Sequence, residues 1–85
     1  MARIDPGKVL WKEVDGLVIV LLIATGNFIE LNKIGSAVWK QLAEGKGVDA
    51  IILTLKDVYD VTEAQLKTDV NSFISQMVKQ GLLQE

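Results

Sequence analysis

The dipeptide Asp15-Gly16, set between apolar stretches at 8–14 and 17–23, restricts this chain more than any other feature. An Asp-Gly pair accepts the consecutive positive φ angles of a type I′ turn, whose twist suits two antiparallel strands, so a two-residue hairpin is predicted. Such a loop fixes the register: Val14 faces Leu17, Trp11 faces Val20 and Val9 faces Leu22. A second turn signal, Ala24-Thr25-Gly26-Asn27, leads into Asn-Phe-Ile-Glu-Leu at 27–31 and extends the hairpin to a three-stranded meander.

Period-two alternation sorts the strand residues. One face takes Val9, Trp11, Val18, Val20, Leu22, Ile29 and Leu31, with Glu13 its only charge, and is the expected core face. The other mixes Leu10, Val14, Leu17, Ile19, Leu21, Ile23 and Phe28 with Lys12 and Glu30.

After Leu31 the apolar period changes from two to 3.6. Asn32 is a fitting N-cap for a helix over 33–43, with Ile34, Ala37, Val38 and Leu42 on one stripe and Gly45 past its end. A second helix is predicted over 50–58, capped by Asp49. Thr62 and Gln65 form a T-x-x-Q capping box for a third, whose apolar positions are Leu66, Val70, Phe73, Ile74, Met77 and Val78. Gly81 stops it, with Leu82 placed for a Schellman contact onto Met77. The fold class is α+β: a three-stranded antiparallel sheet followed by three helices, in winged helix-turn-helix order. One domain is expected over 1–85, with 1–7 a frayed lead-in around Pro6.

Composition narrows the function. The chain is 49% hydrophobic and 24% charged, which suits a packed core, and it contains neither cysteine nor histidine. That removes disulfides, thiolate or His-activated nucleophiles and the usual transition-metal ligands. The acids form no metal-binding string, and Gly45-Lys46-Gly47 lacks the strand and the Ser or Thr of a phosphate loop. No enzyme, cofactor or metal site is expected. The longest apolar run, 17–24, is far short of the ~20 residues needed to cross a bilayer, and acidic Glu13 and Asp15 precede it, so a cytoplasmic chain without a membrane partner is read.

A winged-helix regulator of transcription is the alternative. The third helix, however, balances Lys67 and Lys79 against Glu63 and Asp69, where a groove-reading helix would be basic, so no nucleic-acid partner is expected. The third strand is more informative, because in a 1-2-3 meander it lies at an edge with backbone groups unpaired. Such an edge is covered by the protein's own helices, paired across a homodimer, or open to an extended peptide as a fourth strand. A proline at Ile29 would remove a donor needed for docking or folding.

The order of Trp11, the Asp15-Gly16 turn, Gly26 before a strand ending in Leu31-Asn32, Trp39, Tyr59-Asp60, Asp69-Val70 with Phe73, and Gly81-Leu82-Leu83 resembles the PqqD family. The resemblance covers about 8–83. It implies a protein that binds the leader of a ribosomally made precursor peptide and presents it to a separate enzyme, a leader peptidase, cyclase or radical SAM enzyme. The leader would add at the third strand, on Asn27, Phe28, Ile29, Glu30 and Leu31, in a groove completed by Leu66, Asp69, Val70 and Phe73 of the third helix. Val48 replaces a Thr that often caps the second helix. The acidic Pro-Glu segment common before the third strand of quinone-pathway members is absent, which points toward a lasso-type or other free-standing recognition protein. A monomer or weak homodimer is expected, the latter through Leu21, Ile23 and Phe28.

Overall fold

Asp15 and Gly16 adopt φ of 53° and 83° in the computed structural model, which describes residues 2–85. These are the two positive angles a type I′ turn requires, and the hairpin they close joins β1 (Val9–Val14) to β2 (Leu17–Leu22) in the predicted register. Gly26, at φ 75°, turns the chain again, its N–H donating to Leu22 O at 2.9 Å. β3 (Phe28–Glu30) then pairs antiparallel with β2, giving the order β1-β2-β3.

Three helices follow: α1 (Lys33–Ala43), α2 (Val48–Val58) and α3 (Glu63–Lys79). Asn32 caps α1 by accepting from Gly35 N at 2.8 Å. α2 starts two residues before the predicted position. Gly47 takes the cap with extended backbone, and Asp49 falls in the first turn, where its charge meets the positive end of the helix dipole. At α3, Thr62 Oγ1 accepts from Gln65 N at 3.1 Å, but Gln65 turns its amide to Asp69 Oδ1 at 2.8 Å, so the capping box is half formed. The C-terminus of α3 is a Schellman motif: Leu82 N donates to Met77 O at 2.9 Å, Gly81 N to Val78 O at 3.0 Å, and the Leu82 and Met77 side chains are buried.

The core lies between one sheet face and the helices. Val9, Val18, Val20 and Leu31 bury against Val38, Trp39, Ile51, Leu55, Leu66 and Val70. Trp11, on the same face, stays at the margin, meeting Trp39 edge-on at a centroid distance of 6.3 Å. The opposite face of the sheet carries no helix, and Leu10, Val14, Ile23 and Phe28 stand exposed on it.

Ser36 joins sheet and helices in a way no periodicity foretold. Its buried Oγ accepts from Val18 N at 2.8 Å and donates to Leu31 O at 3.2 Å, bridging a backbone donor and a backbone acceptor that face each other where the β2–β3 pairing ends. The lead-in also differs from expectation. Arg3 and Gln84 exchange two backbone hydrogen bonds, at 2.8 and 2.9 Å, and Ala2 and Ile4 pack on the core, so residues 2–4 are tied down. Their apolar side chains drive this, hidden in sequence by the polar residues and proline around them. No helix among the described residues is long and apolar enough to cross a membrane.

Candidate functional site

β3 holds to β2 through alternate residues. Leu22 N donates to Asn27 O and Leu31 N to Val18 O, both at 2.8 Å, which marks Asn27, Ile29 and Leu31 as the residues turned toward β2. The N–H and C=O of Phe28 and Glu30 therefore turn outward. None of the turn, loop or cap hydrogen bonds among the described residues reaches them. A proline at Ile29 would thus strike the fold, and the donors available to another chain are those of Phe28 and Glu30.

Beside this edge runs a trough, because α3 packs on α1 and α2 and no Cα of β3 lies within 8 Å of one of α3. Two depressions mark its ends. One, of about 290 Å³, is lined by Asn32, Ile34, Gly35, Asp69, Ser72, Phe73 and Gln76. The other, of about 450 Å³, is lined by Leu22, Asn27, Phe28, Ile29, Gln80 and Leu82. Asp69 to Gln76 thus stand near the end of β3 and Gln80 near its start, so α3 runs antiparallel to β3. A larger hollow of about 760 Å³, lined by polar side chains of α3 from Asn71 to Gln80, shares Ser72 and Gln76 with the first depression and Gln80 with the second.

The residues named from sequence fall into three groups. Asn27, Phe28 and Ile29 border the trough, as do Asp69 and Phe73 on its far wall. Glu30 supplies outward backbone, whereas Leu31 is buried at the end of the strand. Leu66 and Val70 are wholly buried and back the wall from inside the core without lining it. Ser72, Gln76 and Gln80 were missed. Their signal was present: Asp69, Phe73, Gln76 and Gln80 follow one another at spacings of four, three and four, a stripe rotated from the buried one at Leu66, Val70, Ile74 and Met77.

Phe73 is seated by a glycine. A Cβ on Gly35 would come within 2.9 Å of Phe73 Cε1, so the ring lies against the bare backbone at the start of α1. Asp69, half-buried, accepts from Gln65 Nε2 and takes part in none of the three ion pairs among the described residues, all of which lie outside the trough. The arrangement offers an extended chain two backbone donor–acceptor pairs along one side. On the other it offers an aromatic ring, amides and one carboxylate. α3 itself carries Lys67 and Lys79 against Glu63 and Asp69, so its fold position as a recognition helix is not matched by its charge.

Comparison with known proteins places this geometry. The fold superposes on a solved complex of TbiB1 with the TbiA(beta) leader peptide at a TM-score of 0.91, with 27% identity over 96% of this chain and 94% of that one. A lasso peptide synthetase B1 complexed with its leader peptide matches at a TM-score of 0.89 over 99% of this chain and 98% of that one, and at 17% identity it speaks for the fold alone. No curated protein matches the sequence. Residues 18–83 match the family described as coenzyme PQQ synthesis protein D, PqqD; with that match running from β2 through both walls of the trough to the Schellman turn, the chain belongs to the PqqD family.

Proposed function

We propose that the trough beside β3 takes the leader segment of a ribosomally synthesised precursor peptide as a fourth, antiparallel strand, for presentation to a separate enzyme. The observation that carries this reading is the outward N–H and C=O of Phe28 and Glu30 beside a trough that the described segments of the chain leave open. Strand addition supplies hydrogen bonds that tolerate many sequences, and alternate side chains of the guest enter the depressions and set specificity. Ile29 forms the near wall and Asp69 and Phe73 the far one, while Leu66 and Val70 hold the wall in place from behind. Asn27 and Leu31 keep β3 on β2. The similarity at 27% identity to a chain solved with a leader peptide, and the family's resemblance-based role, both support it.

In this role the protein works in the cytoplasm without catalysis or cofactor, and hands the peptide to a leader peptidase or another modifying enzyme of a lasso-type pathway. Ordering a flexible leader costs several kcal/mol, so affinity is expected in the roughly nanomolar to micromolar range with weak dependence on salt. Isothermal titration of synthetic leaders from precursors encoded beside this gene tests the reading. One-to-one binding in that range is expected. No heat and no amide shifts with any such leader at about 100 μM, far above the expected Kd, would overturn it.

A further inference from the structure

We propose that Asp69 makes the trough selective for leaders that carry a basic side chain four residues ahead of the apolar one received by the second depression. This rests on the leader-binding reading above and names what the same site selects. Asp69 is the one charged residue among those lining the two depressions, and no lysine or arginine of the described residues borders either. Glu30 belongs to the other face of the sheet, since Ile29, its neighbour, packs on the core. On α3, Lys67 sits with Asp49 and Glu63 in a separate hollow toward α2, and Lys79 stands about 15 Å further along the helix. The carboxylate is therefore unopposed where it meets the trough.

Its hydrogen bonding leaves room for a guest. Oδ1 accepts from Gln65 Nε2 at 2.8 Å, and no bond within the described residues reaches Oδ2. Water serves that oxygen while the trough is open. A leader laid over the half-buried side chain removes the water, and a carboxylate stripped of solvent without a cation is costly. A guest with an acidic or apolar residue at this place meets that cost in full, whereas a lysine or arginine removes it. Selectivity then comes as much from rejecting wrong leaders as from attracting the right one.

Phe73 favours a cation over a neutral donor. It follows Asp69 by four residues on the same face of α3 and lines the same depression, its ring held against the bare backbone of Gly35. A guanidinium or ammonium group can lie on such a ring while its N–H groups reach the acid.

Position follows from direction. Because α3 runs antiparallel to β3, a leader antiparallel to β3 runs parallel to α3 and passes Asp69 first. Gln80, at the second depression, lies about 16 Å along the helix from Asp69 and about 10 Å from Phe73. An extended chain covers this in roughly three to five residues at about 3.4 Å each, and of these about four alone returns a side chain to the same face. Leu22, Ile29 and Leu82 make the second depression a place for an apolar side chain.

Calorimetry on synthetic leaders from the precursor encoded beside this gene, with each lysine or arginine replaced in turn by glutamine, tests the coupling. The proteins are the wild type and Asp69→Asn, which keeps the side chain's shape and its acceptor for Gln65 and is checked by thermal melts. At one position, four residues before an apolar residue, glutamine should weaken binding to the wild type about tenfold and to Asp69→Asn by less than about twofold. Glutamate there should cost the wild type more than glutamine does, a comparison that needs only the unaltered protein. A leader that binds the wild type in the expected range without a basic residue at that place would overturn the proposal. So would equal losses in the two proteins, coupling at another spacing, or glutamate tolerated as well as glutamine; each of these leaves leader binding itself standing. No binding of any such leader by the wild type would overturn the preceding reading, and this one with it.

Discussion

β1 and β3 are both edge strands, and each leaves alternate backbone groups without a strand partner. On β1, Ile23 N donates to Lys8 O at 3.0 Å, which turns Leu10, Lys12 and Val14 toward β2 and the backbones of Trp11 and Glu13 outward. β1 is twice as long as β3, with six residues against three, and so would be the better template by length. It is closed instead. Trp11 leans on Trp39 of α1, and Glu13 reaches Lys40 of the same helix at 2.9 Å, so the space below this edge is filled. Lys12 and Glu13 add the charges that commonly keep an edge from recruiting another strand. Beside β3 lie the two depressions that α3 also borders. The difference lies in what stands beside each edge, α1 side chains at β1 and the trough at β3, so relief able to receive a guest's side chains lies beside β3.

The open edge depends most heavily on Ser36. Its hydroxyl links Val18 N to Leu31 O, at the corner where β3 passes into α1. Ser36→Ala leaves a buried donor and acceptor unpaired, at about 1–3 kcal/mol. In a domain of this length that lowers Tm by roughly 4 °C or more, measurable by circular dichroism, with faster amide exchange in β3 and little change in β1.

Next in size is a pair of prolines. Glu30→Pro removes an outward donor from β3 and should cost about tenfold or more in leader affinity, roughly 1.4 kcal/mol, with the fold retained by circular dichroism. Glu13→Pro removes the matching donor from β1 and should leave leader affinity within about twofold. Equal losses in calorimetry would erase the distinction between the edges.

The smallest effect sharpens the trough itself. Gly35→Ala gains roughly 0.5–1 kcal/mol of helix propensity, offset by a 3.1 Å approach of the new methyl to the capping Asn32 Oδ1, and the methyl meets the Phe73 ring and displaces it from its seat on α1. Stability should hold or rise slightly in thermal melts, while leader affinity falls about threefold, or roughly 0.7 kcal/mol.

Much of this was legible in the residues. Asp15-Gly16 set the register of the hairpin, Asn32 and Gly81 bounded their helices, and the meander order placed β3 at an edge. The start of α2 was not, because Gly47 and Asp49 are both acceptable near a helix N-terminus and only the backbone chooses between them. Residues 2–4 were read as frayed because their partner, Gln84, lies at the far end of the sequence. The wall of the trough was half legible. Leu66 and Val70 belong to the strongest apolar stripe of α3, and a strong stripe is what a core consumes; the accessible stripe beside it is mostly polar and carries no hydrophobic signal. The trough depends on the distance between α3 and β3, which no local pattern encodes.

Amide hydrogen exchange at the two edges, read by NMR with and without saturating leader peptide, distinguishes an edge that takes a fourth strand from one that does not. The expected result is fast exchange at Phe28, Glu30, Trp11 and Glu13 in the free protein, with protection gained at Phe28 and Glu30 alone when leader is added. Protection gained at Trp11 and Glu13, or at neither edge while leader is bound, would contradict it.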